Sequence, residues 1–151
     1  MISDSDILSF VHESNAIEGI YRYPTKAEVA AHSRLWAIDA DPDKMVAGLK
    51  KFVRSVASAL IRDSYGMDVI VGGQMPPLGG PNIPYTLRNI CDTCCAGGAD
   101  PHAVYTRYHW LHPFYDGNGR SGRALWVWHM IREKRDPFIR PFLQTWYYDS
   151  L

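Results

Sequence analysis

Residues 112–123 read HPFYDGNGRSGR, which combines an imidazole, a carboxylate, an amide, three glycines and two guanidinium groups. A histidine can accept a proton near neutral pH. Glycines that precede a helix let backbone N–H groups surround an anion. Arginine binds phosphate oxygens in a bidentate manner. The stretch therefore predicts a site that holds a nucleotide and transfers part of it.

Two other nucleotide-binding patterns overlap this stretch. Residues 117–122 fit Gly-x-Gly-x-x-Gly, the dinucleotide-binding fingerprint, which requires a preceding strand within a βαβ unit. Residues 105–111 lie in a helical context instead, and too few residues follow for a cofactor domain. A Walker-type P-loop is excluded because no Gly-Lys-Ser/Thr follows the glycines. A plain turn before a surface helix would explain the glycines but not the charged side chains and the histidine.

The stretch resembles the signature of the Fic family, His-x-Phe-x-Asp/Glu-Gly-Asn-Gly-Arg-x-x-Arg. Most Fic proteins are adenylyltransferases, which transfer AMP from ATP to a hydroxyl group of a target protein. The resemblance extends over almost the whole chain and implies one compact, mainly α-helical Fic domain with a short β-hairpin flap, residues 1–151. Every specified position of the signature is present, at His112, Phe114, Asp116, Gly117, Asn118, Gly119, Arg120 and Arg123.

The resemblance also implies a role for these residues. His112 would be the general base that deprotonates the hydroxyl of a tyrosine, serine or threonine. Asp116 would hold Mg²⁺ against the phosphates of ATP. The backbone of residues 117–119, with the Asn118 side chain, would form an anion hole for the α- and β-phosphates, and Arg123 would hold the γ-phosphate. The nucleotide-binding residues implied in this stretch are Gly117, Asn118, Gly119, Arg120, Gly122 and Arg123.

A second motif lies near the N-terminus, where residues 14–19 read SNAIEG. It resembles the inhibitory motif of the same family, Ser/Thr-x-x-x-Glu-Gly/Asn, with Ser14, Glu18 and Gly19 at the specified positions. In the class whose inhibitory helix precedes the core, here residues 1–20, the glutamate pairs with the second arginine of the signature, Arg123. Gly19 could equally serve only to end a helix in the left-handed conformation, and the two interpretations are compatible.

Residues 67–84 interrupt the helical pattern. The run MDVIVGG is β-prone, and the glycines and prolines that follow exclude a helix interior. In Fic proteins a β-hairpin flap lies over the active site and binds the target as an added strand. The resemblance places that flap here, with Val69, Ile70 and Val71 docking the target. An ordinary surface loop is the alternative.

The C-terminal residues 146–151 resemble the segment in which aromatic side chains line the adenine pocket. Tyr147 and Tyr148 could stack on the base, or they could equally be core contacts. Elsewhere the apolar periodicity and capping signals predict helices. Their approximate bounds are 5–17, 25–38, 42–61, 101–111, 120–134 and 143–148.

Composition limits the remaining classes. The 151 residues suffice for one domain, and 16 basic and 16 acidic side chains cancel, which argues against non-specific nucleic-acid binding. No apolar run approaches the roughly 20 residues of a membrane span, and the N-terminus lacks a signal-peptide pattern, so a cytoplasmic setting is predicted. The three cysteines at 91–95 suit neither a disulfide framework nor a zinc site and are expected to be free thiols on a helix.

The sequence thus predicts a Mg²⁺-dependent nucleotidyltransferase that moves AMP from ATP to a target protein and inhibits itself through Glu18. Gly119 and Arg120 keep the adenylylating pattern, whereas the phosphate-transferring branch of the family departs after the asparagine. Three alternatives stay open: hydrolytic removal of AMP with water positioned by Glu18, another Fic-type transfer, and a non-catalytic nucleotide-binding module. Assembly into a homo-oligomer also stays open.

Overall fold

The computed structural model describes residues 2–138 and is mainly helical, as the sequence predicts. The predicted helix at 143–148, with Tyr147 and Tyr148, lies outside the described residues. The helices found within them are α1 (Asp4–Ile17), α2 (Lys26–Trp36), α3 (Pro42–Ala57), α4 (Asn82–Ala96), α5 (Pro101–Leu111) and α6 (Asn118–Arg132).

The starts of the helices follow from local sequence signals. Thr25 and Glu28 form the predicted capping box of α2. Asp41 accepts hydrogen bonds from the first turn of α3, where Pro42 takes the first helical position. Asp100 caps α5 in the same way. These caps satisfy N–H groups that a helix cannot satisfy itself.

Two predicted boundaries are wrong. Helix α3 ends at Ala57 rather than near residue 61, because Ser58 adopts a left-handed conformation with φ 52°. The chain is then extended, and Ile61 forms an antiparallel bridge with Phe114. The prolines near residue 82 concealed the start of α4, so the last residues of the predicted flap belong to that helix.

Helix α6 lies at the centre of the fold. Its residues 120–130 are all buried, and it packs against α1, α2, α3 and α5. Gly122 allows α5 to approach closely, since a Cβ there would lie 3.0 Å from the ring of Tyr108. The hydroxyl of Tyr108 is 2.6 Å from the Ser121 Oγ. Because α6 is buried on all sides, it holds the loop that leads into its N-terminus in a fixed position.

Three findings concern the cysteines, the potential metal ligands and the apolarity of the helices. The three cysteines lie buried and unbonded on α4, and burial raises the pKa of the Cys94 thiol to about 12, which makes it unreactive. Within residues 2–138, no cluster of three or more potential metal-ligating side chains occurs. In the same part of the chain, none of the helices has the length and apolarity that crossing a bilayer requires.

Residues 67–81 do not form a β-ladder. Val71 and Gln74 exchange two backbone hydrogen bonds of 2.8 and 2.9 Å, around a tight turn in which Gly72 and Gly73 have φ of 53° and 81°. Positive φ at both central residues is typical of hairpin turns. The segment therefore has the turn of a hairpin with a single bridge, and it does not show the short β-hairpin flap that the sequence predicts.

We expect the folded protein to lose stability as the pH falls from 6.5 to 4, in part because of His32. This buried side chain donates from Nδ1 to the Glu28 carbonyl at 2.7 Å, and burial lowers its pKa to about 4. As the pH falls, the unfolded chain takes up the proton before the folded protein does. The stabilisation present above pH 6.5 is therefore lost by pH 4, which lowers the free energy of unfolding by about 3 kcal/mol.

Urea unfolding at pH 7.5 and pH 4 tests this expectation. His32→Gln keeps a donor but cannot titrate, so its unfolding free energy should change less between the two pH values. His112 and His129, whose pKa values burial also lowers, titrate in both proteins and cancel in the comparison. Equal pH dependence in the two proteins would contradict the assignment to His32.

Candidate active site

His112 ends α5 in an unusual backbone conformation. Its φ and ψ are 51° and 63°, in the left-handed region, and its N–H donates to the Tyr108 carbonyl. The imidazole is half-buried. Burial, with smaller contributions from His109 and Arg62, lowers the pKa of His112 to about 4. The ring is therefore neutral at pH 7 and able to accept a proton.

The loop after His112, residues 113–117, is called the anion loop here and is closed by Asn118. Its side-chain Oδ1 accepts from the Phe114 N–H at 2.9 Å, and its Nδ2 donates to the Phe114 carbonyl at 2.8 Å. Gly117 has φ 78°, and a Cβ there would lie 2.9 Å from that of Ala57. The Asn118 side chain thus shapes the loop, whereas the resemblance implies a direct place for it in the anion hole.

Helix α6 begins directly after this loop, with Gly117 as its N-cap and no side-chain cap. The first-turn N–H groups of a helix lack intrahelical partners, and the helix dipole makes this end favourable for anions. The predicted anion hole at residues 117–119 therefore coincides with the N-terminus of the central helix.

An anionic side chain already lies at this helix end. The Glu18 Oε1 accepts from the Arg123 Nη2 at 2.7 Å, as the resemblance implies, although 105 positions separate the two residues. A Cβ on Gly119 would overlap the same Glu18 oxygen. The carboxylate of Glu18 therefore rests against the first turn of α6.

The other residues of the N-terminal motif hold this arrangement. Arg123 is fully buried, and it donates from Nε to the Ser14 Oγ at 2.9 Å and from Nη2 to the Ser14 carbonyl at 3.0 Å. Gly19 follows α1 with φ 76°. Ser14 and Glu18 thus both contact Arg123, and Gly19 ends the helix directly after Glu18, which is the C-cap of α1.

A polar network that the sequence analysis did not identify fixes α1 on α2. The Asn15 Nδ2 donates to the Glu28 Oε2 at 3.0 Å, and Arg22 contacts Glu28 at 2.7 Å. Burial alone would raise the pKa of Glu28, but hydrogen bonds from Arg22, Thr25 and Asn15 lower it to about 2. The carboxylate is therefore ionised and anchors the helix that carries Glu18.

The remaining residues of the signature lie in different surroundings. Asp116 is exposed at the mouth of the loop, where its Oδ1 accepts from the Gly117 N–H at 2.7 Å. Arg120 is buried and donates to the Val56 carbonyl at 2.8 Å, at the end of α3. Gly122 packs against α5. In this conformation Arg120 and Gly122 hold helices together.

Of the predicted docking residues, Val71 lies beside α5. Val71, Gln74 and Pro76 line a cleft of about 60 Å³ with His109 and Trp110. Val69 is half-buried and Ile70 exposed. This placement brings the segment that contains Val71 next to the helix that ends at His112.

Comparison with known proteins supports part of this assignment. Neither the curated proteins nor the solved structures contain a match to the chain. A family description does match, and its range includes the turn at Gly72 and Gly73, α4, α5, His112, the anion loop and most of α6. Residues 72–130 match the model of the Fic/DOC family.

Proposed function

We propose that the protein transfers AMP from ATP to a hydroxyl group of a target protein and that Glu18 inhibits this reaction. The match of residues 72–130 to the Fic/DOC family suggests a Fic-type transfer of a phosphate-containing group. The observation that carries the proposal is the Glu18 carboxylate, which rests against the first turn of α6. A helix end that accepts one anion at this position can accept a phosphate there.

The chemistry of the transfer is assigned to His112. The neutral imidazole takes the proton of the target hydroxyl while the hydroxyl oxygen attacks the α-phosphorus of ATP. The bond from the α-phosphorus to the bridging oxygen breaks, and pyrophosphate leaves. The N–H groups at the start of α6 face the charge that develops on the phosphate oxygens. Each fixed donor of this kind lowers the barrier by about 3 kcal/mol.

The residues at the site fit a magnesium ion that arrives with the nucleotide. Asp116 offers one exposed carboxylate beside the anion loop, and Mg²⁺ commonly takes one or two carboxylates together with substrate phosphates. Mg²⁺ would neutralise charge on the phosphates. Asp116 would hold the ion there, and Arg123 would hold the γ-phosphate once Glu18 has left.

The target segment is proposed to bind along residues 69–71, next to α5. Val71 takes part in a single bridge, and the side chain of Ile70 is 72% exposed. Docking by main-chain hydrogen bonds would present a hydroxyl to His112 with little dependence on the target's side chains.

Transfer of label tests the proposed reaction. We expect the Glu18→Gly protein, incubated with cell lysate and Mg²⁺, to label protein from α-labelled ATP and not from γ-labelled ATP. Gel autoradiography measures both, and excess chelator should abolish the signal. Label from the γ-position alone would assign the protein to phosphate transfer. Release of AMP from a previously labelled protein would favour the hydrolytic alternative.

A further inference from the structure

Arg62 is a buried charged residue to which the proposed chemistry gives no role. Its side chain is fully buried, with 0% exposed. Its Nε donates to the His112 carbonyl at 2.8 Å, and its Nη2 donates to the Leu111 carbonyl at 3.0 Å. These are among the last carbonyls of α5, which lack partners within the helix. A cation at a helix C-terminus also interacts favourably with the helix dipole.

The backbone of the same residue is joined to the segment after His112. The Arg62 N–H donates to the Pro113 carbonyl at 2.9 Å. The next residues along both segments continue the pairing, since the Tyr115 N–H donates to the Leu60 carbonyl and Ile61 forms a bridge with Phe114. Arg62 therefore donates hydrogen bonds to three consecutive carbonyls, those of residues 111–113, around the left-handed His112.

Arg62 also holds the base of the segment that carries Val71. Its Nη1 donates to the Met67 carbonyl at 3.0 Å, and its own carbonyl accepts from the Gly80 N–H at 3.0 Å. The two ends of the segment meet there, since a Cβ on Gly79 would lie 2.8 Å from the carbonyl carbon of Met67. One buried guanidinium thus joins the base of the target-binding segment to the backbone of His112.

We infer that Arg62 is a positioning residue, which fixes the position of the His112 imidazole relative to both the anion loop and the docked target. This inference rests on the proposed function of His112. It concerns a residue outside the range 72–130 that matches the Fic/DOC family. Three carbonyl partners in a fixed arrangement suit the planar guanidinium, and a lysine ammonium cannot reproduce them.

The cation has a second effect, on the protonation of His112. Within residues 2–138, the charged or titratable groups with the largest effects on this imidazole are His109 of α5, Arg62, which lies between α3 and α4, and Glu18, the C-cap of α1. Burial lowers the pKa of His112 most, His109 and Arg62 lower it further, and Glu18 raises it. Removal of the Arg62 cation should therefore raise the pKa of His112, while Arg62→Lys should leave it low.

Two substitutions in the Glu18→Gly background separate geometry from charge. We expect Arg62→Lys to reduce kcat for label transfer by tenfold to about a hundredfold, because a misplacement of 1 Å can cost that much. The KM for ATP should change less than twofold, and the NMR titration of the His112 ring should be unchanged. Arg62→Met should lose as much kcat and should also shift the His112 titration to higher pH. Arg107→Lys and Arg107→Met make the same changes at an exposed arginine on α5 and should match the background.

The measurements keep the inference separate from the proposed function. If the Glu18→Gly protein transfers no label, the proposed function fails, whereas the His112 titration of Arg62→Met still reports whether Arg62 acts on the ring. If Arg62→Met does not fold, the kcat and KM of Arg62→Lys decide. A kcat for Arg62→Lys within twofold of the background, or an unchanged His112 titration in folded Arg62→Met, would overturn the inference.

Discussion

In the Glu18→Gly background, His112→Ala should reduce label transfer by about 10²- to 10⁴-fold, the usual contribution of a general base. The physical reason is that the neutral imidazole is the proposed acceptor of the target's proton, and burial keeps its pKa at about 4. ATP binding should remain nearly intact, because the phosphate-binding N–H groups belong to the start of α6. Radiolabel transfer measures the first effect and equilibrium ATP binding the second.

His102→Ala is the matched control, since His102 is an exposed histidine near the opposite end of α5. It should transfer label at the background rate. Full transfer by His112→Ala would remove the base from the mechanism. Nucleotide binding without transfer in every variant would favour a nucleotide-binding module.

The pH dependence of label transfer by the Glu18→Gly protein is a second test of His112 as the general base. The imidazole must be neutral to act as a base, so transfer should persist below pH 6.5 and fall only as the pH approaches 4. The profile has to be read on protein shown to be folded at each pH, since His32 destabilises the fold in the same window.

Local signals in the sequence predicted much of the fold. The capping box at Thr25 and Glu28 and the Asp-Pro starts of α3 and α5 depend on neighbouring residues only, and all three are confirmed. The end of α3 could not be predicted in this way. Apolar residues continue at helical spacing to Ile61, but that residue pairs with Phe114, 53 positions away in the chain.

The candidate site shows the same division. The pairing of Glu18 with Arg123 was predicted because both residues belong to motifs that resemble parts of one family, and the ion pair is confirmed. The position of Arg120 depends on a tertiary contact, to Val56. Asn118 bonds to Phe114 only four positions earlier, but in an irregular loop that no helical or strand periodicity describes. No local pattern marks Arg62, whose partners are carbonyl oxygens and therefore carry no side-chain signature.

The flap illustrates a different limit. A β-prone run and two glycines indicate a hairpin turn, and the turn at Gly72 and Gly73 is present. A ladder requires continued pairing on both sides, and Pro76 and Pro77 supply no N–H for it. If a target strand supplies the missing partner, pairing would extend along residues 69–71 only in the complex.

The Glu18→Gly substitution should raise label transfer or auto-modification by well over tenfold. In the wild-type protein the Glu18 carboxylate holds Arg123 at 2.7 Å and rests against Gly119, so it takes the place proposed for phosphate oxygens. ATP that enters beside it would have a misaligned α-phosphate, and a small misplacement can reduce the rate about a hundredfold. Glycine removes the carboxylate and leaves α1 intact up to Ile17, because Glu18 is only the C-cap of that helix.

Two further variants separate the carboxylate from the helix that carries it. Glu13→Ala removes another acidic side chain of α1 and should leave the transfer rate unchanged. Ser14→Ala removes the hydroxyl that accepts from the Arg123 Nε but keeps the carbonyl contact at 3.0 Å, so it should relieve inhibition only partially. The rates should therefore rank as Glu18→Gly, then Ser14→Ala, then Glu13→Ala and the wild type together. Equal transfer by the wild-type and Glu18→Gly proteins would show that the ion pair stabilises the fold without controlling the site.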